Sequence, residues 1–263
     1  IERIQITATN TDKVPNTSPT AASSGTDLNG MAAKNAAETI KQRLVDFLVR
    51  EYKVTPEDVE FKGGQVRVRD HFLSFEEVIQ KAYFGQVSLS STGFYRTPKI
   101  YYDRDKAAGR PFYYYAYGVA CVEVLVDTLT GEYRMLRGDI LHDVGDSLNP
   151  AIDIGQVEGA FVQGMGWLTM EELVWNAKGK LETCGPASYK IPAIADMPID
   201  LRVKLVENRK NPEDTVFHSK AVGEPPFMLG IAAWCALKDA VASLADYKVQ
   251  PQIDAPATPE RVL

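Results

Sequence analysis

Glu224 is a lone carboxylate in a stretch suited to holding it still: Ser219-Lys220-Ala221-Val222-Gly223-Glu224-Pro225-Pro226-Phe227-Met228-Leu229-Gly230. Proline fixes its own φ and biases the preceding residue away from the helical region. The segment therefore predicts a Glu224 side chain presented at a controlled angle, just ahead of an apolar helix. Burial among small and apolar neighbours would raise its pKa, which suits a base that takes a proton from an already acidified group. The same residue could instead be a helix-start charge or a salt-bridge partner. Taken by itself, the segment leaves both readings open.

Other catalytic sets are missing. Gly85, Gly93, Gly118, Gly131 and Gly138 form no dinucleotide fingerprint, and no phosphate-binding loop or serine nucleophile elbow occurs. His71, His142 and His218 are too dispersed for a zinc motif and read as structural or surface histidines. Cys121, Cys184 and Cys235 lie far apart, neither a metal-ligand pair nor a disulfide framework, which favours a reducing cytoplasm. No side chains are expected to ligate a metal.

The elements that must position Glu224 belong to a globular chain of 263 residues, 45% hydrophobic and 24% charged. With 12 Tyr and 10 Phe, and with 19 Gly and 15 Pro interrupting any long helix, disorder and coiled coil are poor fits. No apolar run approaches the roughly 20 residues that span a bilayer. The formal net charge is −6 and no compact basic cluster offsets it, which argues against nucleic acid. The first residues, Ile1-Glu2-Arg3, include no initiator Met and no signal segment, as expected of a fragment or a processed piece.

Residues 3–9 alternate polar and apolar and predict a strand; a long polar loop, 10–24, leads into a helix over 27–52. On that helix Leu28, Ala32, Ile40, Leu44 and Leu48 share a face. Residues 54–84 read as a small hairpin–helix insertion, with Gly63-Gly64 at the turn and a capping box at Ser74-Phe75-Glu76-Glu77. From 87 to 144 the signal is antiparallel sheet, with a strand over 112–127 turning at Thr130-Gly131. A helix over 152–173 carries Gly155, Gly159, Gly164 and Gly166, each costing about 1 kcal/mol of propensity, so close packing or a large ligand is expected beside it. A hairpin tip at 175–180, a strand over 201–206, an apolar helix over 228–244 and an extended Pro-rich tail at 251–263, lying on the surface or on a partner, complete the reading. No regular βαβ rhythm is present, so the fold class is α+β, with mixed antiparallel sheets and helices.

The segment around Glu224 resembles the active-site glutamate segment of the molybdenum hydroxylases, specifically the xanthine dehydrogenases and their aldehyde oxidase relatives. Three further stretches agree. They are Thr-Asp-Lys-Val-Pro-Asn-Thr-Ser-Pro-Thr-Ala-Ala-Ser-Ser-Gly-Thr-Asp at 11–27, Ser-Leu-Ser-Ser-Thr-Gly-Phe-Tyr-Arg-Thr at 88–97, and the run at 143–172 that opens Asp-Val-Gly-Asp-Ser-Leu-Asn-Pro. The resemblance implies that residues 1–263 are the C-terminal part of a molybdenum cofactor-binding region. In that reading Glu224 matches the general base. Ala21, Ala22, Ser23, Ser24 and Thr26 match a loop close to the molybdenum and its pterin, and Gln163 matches a glutamine that hydrogen-bonds the cofactor. Small residues in the loop, and room beside a glycine-rich helix, agree with a large ligand.

The resemblance further implies hydroxylation of a purine, hypoxanthine to xanthine and xanthine to urate. Electrons would leave through two [2Fe–2S] clusters and FAD to NAD. The family's purine clamp, another cofactor glutamine, and its iron–sulfur and flavin segments match nothing here. The expected partners are therefore an upstream half of the molybdenum region and those segments, in a dimer of assemblies. An aldehyde oxidase-type hydroxylase, or a structural domain inactive without its companion segment, are the competing readings.

Overall fold

The computed structural model describes residues 3–13 and 19–263. A π-helical turn, Thr26–Gly30, runs directly into α1 (Met31–Tyr52), so the two together cover the helix expected over 27–52. Lys53 closes it in the left-handed conformation at φ 52°. Leu44, Phe47 and Leu48 of α1 are buried against a small sheet. That sheet comprises β1 (Val59–Lys62), β2 (Gln65–Val68) and β3 (His71–Ser74), all antiparallel. Gly63 and Gly64 both take positive φ, 59° and 77°, which is what a two-residue turn matched to strand twist requires. Val66 and Val68 point inward, and burying each contributes about 1.5–3 kcal/mol. Ser74 then caps α2 (Phe75–Phe84): its hydroxyl accepts from Glu77 N at 3.2 Å, while its own N–H donates to Glu77 Oε2 at 2.7 Å.

After the short antiparallel pair β4 (Tyr101–Asp103) and β5 (Ala108–Arg110), the larger core begins. β6 (Gly118–Val126) and β7 (Tyr133–His142) pair antiparallel. α3 (Pro150–Thr169) follows, with Asn149 as its cap and Pro150 in its first turn. β8 (Asp200–Leu205) then adds to β7 in parallel, so the fold is α+β with one mixed sheet. α3 and α4 (Ile231–Ser243) cover it, and Val157, Phe161, Met165 and Leu237 form the centre of the core.

Several elements differ from expectation. Residues 3–9 form no strand: Ile4 and Ile6 are 71% and 89% exposed, and among the described residues no neighbouring strand supplies backbone partners. Residues 14–18 of the long polar loop lie outside the described residues. The aromatic run 112–117 is not strand. There the Tyr115 carbonyl accepts from the Lys220 side chain rather than from a neighbouring strand. α3 stops at Thr169, four residues early, because Gly166 O accepts both Met170 N and Glu171 N. The last helix is preceded by a 3-10 segment, Pro225–Gly230. In the tail, Ile253, Ala257 and Val262 enter the larger core rather than lying on the surface, and α5 (Pro259–Val262) ends the chain.

Candidate functional site

The segment carrying Glu224 has no regular structure from 220 to 223, and it is held by contacts with distant parts of the chain. Ser219 forms an antiparallel bridge with Gly145. Lys220 N donates to Val144 O, and the fully buried Lys220 side chain pairs with buried Asp143 at 2.8 Å. Lys220 Nζ also donates to Tyr115 O at 2.9 Å, and Asp143 Oδ1 accepts from Gly145 N. A buried ion pair tolerates its desolvation only when its remaining polar atoms are satisfied in this way. Ala221 N donates to Tyr114 Oη at 2.7 Å, and Glu224 N donates to Ser23 Oγ at 2.7 Å.

That last bond brings together two site segments 201 residues apart in sequence. Ala22 and Ser23 stand at φ 53° and 54°, a left-handed pair costly for residues other than glycine and concentrated at functional sites. Ser24 folds back, its N–H and its hydroxyl both donating to Ala21 O. Thr26 opens the π-helical turn. An added Cβ on Gly223 would lie 2.7 Å from Ser23 Oγ, so a larger residue there would displace that hydroxyl.

Gln163 joins through its helix. Its neighbour Gly164 packs so closely that a Cβ there would sit 2.0 Å from Phe227 O, and one on Gly230 would sit 2.4 Å from both the Gly164 carbonyl carbon and Met165 N. α3 therefore abuts the turn that follows Glu224, while the exposed Gln163 side chain makes no hydrogen bond to the other site residues. The glycines of α3 divide by role. Gly164 and Gly166 admit close neighbours, whereas Gly155 and Gly159 face open space.

Two expectations for Glu224 are corrected. Its backbone sits in the helical region, φ −97° and ψ −33°, because its carbonyl accepts from Phe227 N at 2.9 Å and so starts the 3-10 segment. Its side chain is exposed, so this chain by itself does not bury it.

Sequence reasoning missed Asp27 and Tyr114. Tyr114 Oη donates to Asp27 Oδ2 at 2.5 Å. Burial pushes the Asp27 carboxyl up, against the opposing effect of the Tyr114 hydrogen bond, and its Oδ1 is buried without a partner. Burial, then the Asp27 hydrogen bond, raises the Tyr114 phenol, so it remains a donor. No local pattern marks a pair 87 residues apart. Gln156 was missed too. It lies seven residues before Gln163 on α3 and reaches toward Gly223, with its Oε1 3.2 Å from where a Cβ would stand.

Between these elements lies a cleft of ≈ 440 Å³ lined by Thr20, Ser23, Thr26, Asn149, Gln156 and Ala221 among others. The hydroxyls of Thr20, Ser23 and Thr26 and the amides of Asn149 and Gln156 give it the polar donors and acceptors that suit a polar ligand. The described residues contain no group of His, Cys, Asp and Glu able to hold a metal.

Comparison with known proteins bears on the family to which the chain belongs. The chain is 47% identical to the xanthine dehydrogenase/oxidase of Mus musculus over 99% of its length, covering 18% of that protein. It is 43% identical to the xanthine dehydrogenase of Oryza sativa subsp. japonica, over all of this chain and 18% of that one. The chain thus spans about a fifth of the length of these relatives. In fold it is similar to CO dehydrogenase from Oligotropha carboxidovorans, with a TM-score of 0.75 and 22% identity over 96% of this chain and 30% of that one. Residues 1–198 match the family described as "Molybdopterin cofactor-binding domain", which takes in the loop at 21–26, Tyr114 and both α3 glutamines, and the chain belongs to that family.

Proposed function

We propose that this chain forms part of a molybdenum hydroxylase of the xanthine dehydrogenase type, which hydroxylates hypoxanthine to xanthine and xanthine to urate. The observation that carries the reading is the Ser23–Glu224 hydrogen bond, in a chain 47% identical to a xanthine dehydrogenase/oxidase across 99% of its length. It ties the small-residue loop to the segment that carries Glu224.

In this reading Ala21, Ala22, Ser23, Ser24 and Thr26 hold the cofactor through backbone amides and hydroxyls, and Gln163 holds it from α3. The molybdenum–pterin cofactor, when bound, supplies the two-electron redox chemistry and the oxygen to be transferred. In such a site Glu224 would serve as the general base, taking up a proton as an electron-poor purine carbon is hydroxylated, assistance worth about 10²–10⁴-fold. Ser23 and Gly223 hold the Glu224 backbone, so the carboxylate is aimed before substrate arrives. The burial that Glu224 lacks in this chain would come from an upstream half of the molybdenum region. Other segments would hold the two [2Fe–2S] clusters and FAD that carry electrons to NAD, in a cytoplasmic dimer of such assemblies acting in purine metabolism. Alone, the chain would be inactive.

The test is steady-state turnover of the complete enzyme with xanthine and with an aromatic aldehyde. Urate formation from xanthine is expected. Turnover of the aldehyde alone would replace this reading with an aldehyde oxidase.

A further inference from the structure

Two bridges join the same pair of segments. Ser23 Oγ accepts from Glu224 N at 2.7 Å. Four residues after Ser23, Asp27 Oδ2 accepts from Tyr114 Oη at 2.5 Å, and Tyr114 Oη in turn accepts from Ala221 N at 2.7 Å, three residues before Glu224. A single hydrogen bond fixes a distance but leaves a segment free to pivot about it. Two, spaced along both partners, fix orientation as well.

The span between the anchors needs that control. Residues 221–223 have no regular structure, and Gly223 is intrinsically the most pliant residue in it. Beyond Glu224 the chain is rigid: Pro225 and Pro226 follow, and the turn is locked against Gly164 of α3. Looseness in the stretch would therefore be felt at Glu224.

We propose that Tyr114 is a positioning residue for Glu224: its hydroxyl, oriented by Asp27, fixes the Ala221 end of the segment that presents the base. The inference rests on the reading of Glu224 as general base. Tyr114 touches neither substrate nor cofactor in this scheme. It acts through the backbone of Ala221, and Asp27 acts through Tyr114. The raised Tyr114 phenol, pushed up by burial and by Asp27, keeps its proton throughout the working pH range, so the bridge persists.

The test compares Tyr114→Phe, Asp27→Asn and Glu224→Gln with the parent in the complete enzyme, using xanthine as substrate. Tyr114→Phe keeps the ring and removes only the bridging oxygen. It should lower kcat about tenfold or more, since misplacement of the order of 1 Å can cost 10²-fold, while KM stays within about twofold and molybdenum content is unchanged. Amide hydrogen exchange in a peptide covering 219–226 should quicken about tenfold, the loss expected of one hydrogen bond. Asp27→Asn offers Tyr114 an amide oxygen and should keep kcat within about threefold and the exchange near that of the parent.

Unchanged kcat in Tyr114→Phe overturns the proposal, as does a fall in kcat without faster exchange at 219–226. A fall that tracks lost molybdenum overturns it too, because the residue would then serve cofactor retention. If Glu224→Gln turns over normally, the base assignment fails. The exchange result then still decides whether Tyr114 orders the segment.

Discussion

Ser23 and Glu224 meet through one hydrogen bond, hydroxyl oxygen to backbone N–H at 2.7 Å, across 201 residues of sequence. The hydroxyl comes from a residue held at φ 54°, where glycine would be more comfortable. A serine retained in such a conformation is explained by what its oxygen does. Ser23→Gly separates the two effects, relieving the backbone while deleting the acceptor. Stability should change by less than about 1 kcal/mol, and xanthine turnover by the complete enzyme should fall about tenfold. Thermal unfolding and steady-state kinetics on the same preparation check this, and unchanged turnover would mean that the bond does not aim the base.

Gly164 carries a different constraint. A Cβ there would lie 2.0 Å from the backbone oxygen of Phe227, in a contact with no flexible side chain to yield. Gly164→Ala should therefore destabilise by about 3 kcal/mol or more and push the 225–230 turn away from α3. Gly159→Ala, on the open side of the same helix, should raise helix stability by up to about 1 kcal/mol, since nothing stands within 4 Å. Melting temperatures of the two variants should move in opposite directions.

Local signals and distant ones fared differently in the sequence. The Gly63-Gly64 turn, the Ser74–Glu77 capping box and the Asn149-Pro150 helix start could be read directly, because each device lies within four residues. The Glu224 segment and the small-residue loop were also recognisable as separate pieces. What joins them was not. Ser23–Glu224, Asp27–Tyr114 and Asp143–Lys220 are pairings across 201, 87 and 77 residues, and no periodicity encodes a partner at that range. Alternation at residues 3–9 suggested a strand, but a strand exists only where a neighbour accepts its hydrogen bonds. Proline's effect on Glu224 was overridden by the Glu224 O to Phe227 N bond.

His142 supplies a pH test. It is 1% exposed, neither ring nitrogen has a hydrogen-bond partner among the described residues, and burial pushes its pKa below the ordinary 6.5. The unfolded chain therefore takes up a proton at a pH where the native chain still resists. The stability His142 permits is complete above the ordinary value and is lost as pH falls through it toward the depressed native value. His142→Leu should leave the melting temperature at about pH 7.5 unchanged or raised and flatten the decline toward about pH 5.5. Parallel pH profiles for parent and variant would assign the acid sensitivity elsewhere.

Rapid-reaction measurement of the reductive half-reaction with xanthine isolates the proposed proton transfer to Glu224 from electron exit. Glu224→Gln preserves volume and the backbone bond to Ser23 but removes the carboxylate's ability to take a proton. The variant should fold, keep its cofactors and reduce its molybdenum centre about 10⁴-fold more slowly, the upper end of general-base assistance. Reduction at near the parent rate would make Glu224 a structural carboxylate and contradict the account.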